Sequence, residues 1–126
     1  SSDLMTKKRK ISVQSGKAKG RKLQQTVRDL LLEAFKDELE PDDIRSTSMG
    51  AGGEDLQVSP LCRKLIPYSW EMKNQQSISI WSSLEQAEAN CPDNVDPVLV
   101  FKRNRSKTYA VIELDKFIKL IHDKSK

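Results

Sequence analysis

The chain has 126 residues, enough for one domain with one modest core. Hydrophobic residues make up 37% and charged residues 32%, so that core must be lean, and a formal charge of +4 favours polyanionic partners. No apolar run reaches membrane-spanning length, and Cys62, Cys91 and the single His122 lack the spacing of a zinc framework.

The basic start carries no apolar secretory segment, so the expectation is a soluble intracellular protein without a membrane partner. Cytoplasmic or nucleoid-associated placement is expected, or nuclear placement in a eukaryotic host, with both cysteines as free thiols. Residues 1–19 mix Lys, Ser and Gly without apolar periodicity and read as a flexible basic arm that is disordered or folds on binding. Lys17 and Lys19 in this arm, with Arg21 and Lys22 just after it, are candidate contacts to phosphate backbones through counterion release. A solubility tail explains the same cluster almost equally well.

Order is expected from Gly20, with a single domain over 20–126. Leu23, Val27, Leu30, Leu31, Ala34 and Phe35 recur at three- and four-residue intervals and predict a helix. A turn containing Pro41 follows, then a short strand at 44–47 and a glycine-rich loop at 48–53. Leu56 and Val58 share one face of a strand, leaving Asp55 and Gln57 on the other. Ser59-Pro60 ends that strand, and 61–68 predicts a short helix or loop. Strand alternation returns with Trp70 and Met72 pointing one way and Glu71 and Lys73 the other.

Ile78, Ile80, Trp81, Leu84, Ala87 and Cys91 predict a helix, with Trp81 in the core or a dimer contact and Trp70 in the core. Residues 92–97 read as a turn, and Val98 to Phe101 as a strand buried on both faces. A basic turn with Lys102, Arg103 and Arg105 offers a second set of backbone contacts before a strand at 109–112. Asp115 is expected to cap a final helix in which Phe117, Ile118 and Ile121 make apolar contacts. This order predicts an α/β fold, a mixed sheet flanked by helices.

Asp55, Glu71 and Lys73 carry the chemistry. Two carboxylates on neighbouring strands, with the Met72 carbonyl, form an oxygen set for Mg2+, or Mn2+ in its place. Such an ion lowers the pKa of water and neutralises charge developing on a phosphate. Lys73 beside it would position the attacking water. An ordinary solvated strand face is the plain alternative for Glu-x-Lys, whereas a core ion pair would cost both groups their hydration. Ser46, Thr47 and Ser48 offer hydroxyls to phosphate, and Arg45 offers a charge or merely solubilises the sheet edge. No Gly-Lys-Ser/Thr sequence ends the loop, so ATP binding is not expected.

The stretch Arg45 to Asp55, together with Glu71-Met72-Lys73, resembles the PD-(D/E)xK nuclease superfamily, and within it the small archaeal and phage Holliday junction resolvases. The likeness covers most of residues 20–118. It implies a restriction-endonuclease-like mixed central sheet flanked by helices, a homodimer, and magnesium-dependent hydrolysis of branched or double-stranded DNA. Asp55 matches the first metal-binding aspartate, and Glu71 and Lys73 match the Glu-x-Lys pair. Glu54 stands where that pattern has proline. Gln24 or Gln25 stands where those resolvases carry an early glutamate, and Gln25 is retained as a candidate water or metal contact without the acid's charge. The alternatives are a small homing or restriction-like endonuclease, and a non-catalytic DNA-binding or packaging protein on the same scaffold.

Overall fold

The computed structural model describes residues 2–47 and 52–126, with side chains from residue 16 onward. Its elements are α1 (Ser2–Ala34), a 3-10 turn (Pro41–Asp43), β1 (Ile44–Ser46), β2 (Leu56–Val58), α2 (Pro60–Leu65), β3 (Tyr68–Asn74), α3 (Ile80–Ala89), β4 (Asp96–Lys102), β5 (Tyr109–Val111) and α4 (Leu114–Lys124). The class is mixed α/β.

α1 buries Leu23 and Val27, with Leu31 and Phe35 half-buried one and two turns on. It begins at Ser2 and passes through Gly20, where order was expected to start. Lys, Arg and Gln are good helix formers and no proline interrupts the run, so the two glycines cost only about 1 kcal/mol each. Leu30 lies outside the buried stripe and is exposed. Arg28 ties the helix to the next segment, donating through Nε to the Ile44 carbonyl at 2.6 Å and through a terminal nitrogen to the Pro41 carbonyl at 2.7 Å.

β1 and β2 form an antiparallel pair in which Ile44 faces Val58 and Ser46 faces Leu56. β3 and β4 are parallel, with Glu71 opposite Leu99 and Met72 opposite Val100, and β5 adds antiparallel to β4. α3 makes the crossover that a parallel pair requires. Met72, Val98 and Val100 turn to the core shared with α1, whereas Glu71, Leu99 and Lys73 turn to α3. The two small sheets meet at one seam, where the Asp55 N–H donates to the Trp70 carbonyl at 3.1 Å.

Several expectations change in detail. β4 starts at Asp96 and includes Pro97, tolerated because it lies near the strand's beginning. Trp81 is 80% exposed rather than in the core. α3 sets its small Ser83 and Ala87 against the sheet with Ile80 and Leu84 flanking them, and Trp81 falls on the opposite side of the helix. Trp70 is half-buried against the core and tilted against Tyr68. The N-cap of α4 is Glu113, making no side-chain cap bond, and Asp115 lies inside the first turn. Phe117, Ile118 and Ile121 are more than half exposed instead of packed. The 48–53 loop is described only at Gly52 and Gly53, and Gly53 adopts φ +91°, which explains a glycine there.

Candidate active site

Asp55 follows the Gly53 turn and is held from three directions. Its N–H donates to the Trp70 carbonyl, its carbonyl accepts from the Thr47 N–H at 2.9 Å, and the Thr47 hydroxyl donates to the preceding Glu54 carbonyl at 2.6 Å. Arg63 of α2 grips the Glu54 carboxylate with two nitrogens, at 2.9 and 2.7 Å, and also donates to the Tyr68 carbonyl at 3.1 Å. A two-pronged, partly buried bond of this kind fixes geometry as well as adding energy. Glu54 is therefore anchored, and it carries Asp55 with it.

The Asp55 side chain reaches β3. Its Oδ2 accepts from the Met72 N–H at 2.7 Å. Backbone groups of one strand residue point to the same strand edge, so the Met72 carbonyl lies on the edge that Asp55 occupies. Glu71 is only 3% exposed. Its Oε1 is 3.8 Å from Lys73 Nζ, and its Oε2 is buried with no hydrogen-bond partner. Lys73 Nζ donates to Gln86 Oε1 of α3 at 2.8 Å, which brings Gln86 to the edge of the site.

The electrostatics follow from this packing. Burial pushes the Glu71 carboxyl above the usual carboxylate range and the Asp55 charge pushes it further, while Lys73 and the Asn90 amide pull it back. Burial likewise raises Asp55, against the Met72 N–H and Lys73. Two desolvated carboxylates that sense each other, with one lysine between them, leave a notch short of positive charge. Among the described residues no group of three or more His, Cys, Asp or Glu is arranged around a metal. Mg2+, however, commonly takes one or two carboxylates and completes its shell with water and substrate phosphate. Asp55, Glu71 and the Met72 carbonyl fit that limited demand, and the partnerless Glu71 Oε2 is the atom that most requires a ligand.

The remaining candidates divide. Gln25 is exposed and lines a shallow hollow with Arg28, Arg45 and Ser46, whereas the neighbouring Gln24 is buried. The Ser46 hydroxyl donates to Gln24 Oε1, so this hydroxyl is engaged with α1. Arg45 is exposed, 3.9 Å from Asp42. Ser48 lies outside the described residues. Lys17 and Arg21 are exposed on α1. Lys19 and Lys22 converge with Lys102 and Arg105 around a cleft of about 410 Å3, with Asn74 of β3 in its wall. The two basic groups, separate in sequence, thus share one surface. Arg103 lines a neighbouring hollow beside Phe101 and Tyr109.

Arg63 and Asn90 were not anticipated. A charged Glu54 beside the candidate aspartate demanded a counterion, and that was the available signal for Arg63.

No protein-family profile, curated protein or solved structure matches the chain. No helix among the described residues is long and apolar enough to cross a membrane.

Proposed function

We propose that the protein is a metal-dependent DNA endonuclease, with resolution of Holliday junctions as its specific activity. The observation that carries this reading is the convergence of Asp55, Glu71 and Lys73 at one edge of β3, with Glu71 Oε2 buried and partnerless. The likeness of the two motifs to the PD-(D/E)xK nucleases supports it, as does the bond from the Met72 N–H of β3 to the carboxylate of Asp55, which stands just before β2. A restriction-endonuclease-like sheet is the corresponding fold proposal.

In this reading Asp55, Glu71 and the Met72 carbonyl hold Mg2+, which when bound supplies Lewis-acid stabilisation of the phosphate and a more acidic water. Lys73, steadied by Gln86, donates a hydrogen bond to the attacking water or to a phosphate oxygen. Gln86 accepts from the ammonium and so fixes its direction. Arg63 acts through Glu54 to keep Asp55 in register. The cleft between α1 and the β4–β5 turn draws in phosphate backbone through Lys19, Lys22, Lys102 and Arg105.

The test is a panel of four-way, three-way, flapped and linear duplex DNAs of differing sequence, incubated with Mg2+ or Mn2+. Cutting of junctions regardless of sequence is expected. Cutting of linear duplex at one sequence would move the protein to the restriction-like class. Binding without cutting in either metal would leave a DNA-binding protein on a nuclease scaffold.

A further inference from the structure

Among the described residues, nothing covers an apolar stripe on α4. Leu114, Phe117, Ile118 and Ile121 fall on one side of the helix at about 100° per residue, and they are 66%, 51%, 53% and 54% exposed. Lys116, the side chain that ties α4 to the body through Asp96 at 3.4 Å, projects on the opposite side. The stripe therefore faces outward.

The charges flanking the stripe name its occupant. Glu113 and Lys124 border one side of it, and Asp115 and His122 border the other. Both pairs are centred on the same point, between Ile118 and Lys119. A two-fold axis there sets Glu113 against Lys124 of a second copy, an opposite-charge pair. On the other flank it sets Asp115 against the polar His122 imidazole, which lies 3.5 Å from Asp123 of its own chain. Parallel pairing would instead exchange the flanks and oppose Glu113 to Asp115, two like charges. Glu113, Asp115 and Lys124 form no ion pair among the described residues. A membrane-surface helix would carry one dominant sign on its polar flanks, whereas this one carries both in mirrored order.

We infer that α4 is a self-association surface, on which a second copy of this chain docks its own α4 antiparallel about a two-fold axis at Ile118. The inference does not depend on the nuclease reading. Four half-exposed large side chains cover roughly 400 Å2 per protomer, about 800 Å2 in all, which is less than stable specific interfaces bury and falls in the weak, transient class. The dimer is accordingly weak, forming at about micromolar concentration or above.

Sedimentation velocity on the full chain, without metal or DNA, from about 1 to 200 µM, tests this directly. The wild type should pass from monomer to dimer across that range. Ile118→Glu should weaken the dimer at least about tenfold with an unchanged far-ultraviolet spectrum, because the residue is exposed. Glu113→Lys alone should weaken it, and Glu113→Lys combined with Lys124→Glu should restore it. A wild type that stays monomeric throughout, including one that instead binds anionic phosphatidylserine vesicles, overturns the proposal. So does an Ile118→Glu variant as dimeric as wild type, or a double reversal no better than the single one.

Discussion

Glu71 and Lys73 share a face of β3, yet Oε1 and Nζ stand 3.8 Å apart while Nζ gives its short bond, 2.8 Å, to Gln86. The pair is therefore not a closed ion pair. A lysine locked onto its neighbouring glutamate would have little capacity left for water or phosphate. Here the neutral Gln86 amide aims the ammonium and leaves Glu71 with an unmatched oxygen.

That oxygen should be visible in stability. Burial and the nearby Asp55 disfavour the ionised form of Glu71 in the fold. Glu71→Gln, which removes that charge, should therefore raise Tm at neutral pH in the absence of metal by about 4 °C per kcal/mol gained. The same variant should lose the Mg2+-dependent rise in Tm that the wild type shows. A variant less stable than wild type in chelator would mean that Glu71 is already satisfied.

The pH profile has a defined sign. Asp55 and Glu71 are both raised in the fold, by burial first. A raised carboxylate favours its neutral form in the native state. Its contribution is present below the ordinary carboxylate range and is lost as pH rises through the raised value. Thermal melts in chelator should therefore show these two groups' stabilisation declining as pH climbs from that range towards neutrality, and the decline should be shallower in Glu71→Gln. Added Mg2+ should offset the loss only on the alkaline side, where the carboxylates are ionised. A Mg2+ effect that grows towards acid pH would contradict this.

Arg63 should matter to metal binding without touching the metal. Arg63→Ala removes a fork of charge-assisted bonds to Glu54 and should destabilise the fold by about 1.5–3 kcal/mol. It should also reduce the Mg2+-induced Tm rise, because Asp55 loses its anchor. In a double-mutant cycle with Glu54→Gln, the effects should be less than additive. Full additivity would mean that the fork in the structure carries no coupling.

The basic cleft gives a separate expectation. Lys22→Ala with Arg105→Ala should weaken DNA binding uniformly across sequences and lower the salt slope by about 1 for each cation removed. Melting should be unaffected, since neither side chain makes an ion pair among the described residues. Titration of fluorescent duplex at several salt concentrations decides the matter, and an unchanged slope would remove the cleft from the DNA path.

The strands were legible because short alternation is a local signal. Leu56 with Val58, and Trp70–Met72 against Glu71–Lys73, fall on the faces their spacing predicts. Asp55 was expected on a strand beside β3 but sits in the bend just before β2, and it meets Met72 across the seam between two separate sheets. What escaped depended on tertiary placement. Trp81 is apolar and in helical phase with its neighbours, but α3 approaches the sheet through Ser83 and Ala87, so the largest side chain was the wrong guide to the buried face. The phase of α1, by contrast, separates Gln24 from Gln25. At about 100° per residue Gln24 falls beside Leu23, Val27 and Leu31 while Gln25 faces away, and Gln24 is the buried one, bonded to Ser46. The stripe on α4 has the period of a core face, and nothing local distinguishes a face buried within the chain from one left for a second copy.

The measurement closest to the central claim is cleavage of one end-labelled four-way DNA junction in Mg2+ by proteins matched for junction binding. Wild type should cut, while Asp55→Asn and Lys73→Ala should each lose at least about 100-fold in rate and still bind the junction. Equal cutting by wild type and both variants would place the chemistry elsewhere, and no cutting by any of them in Mg2+ or Mn2+ would contradict the account.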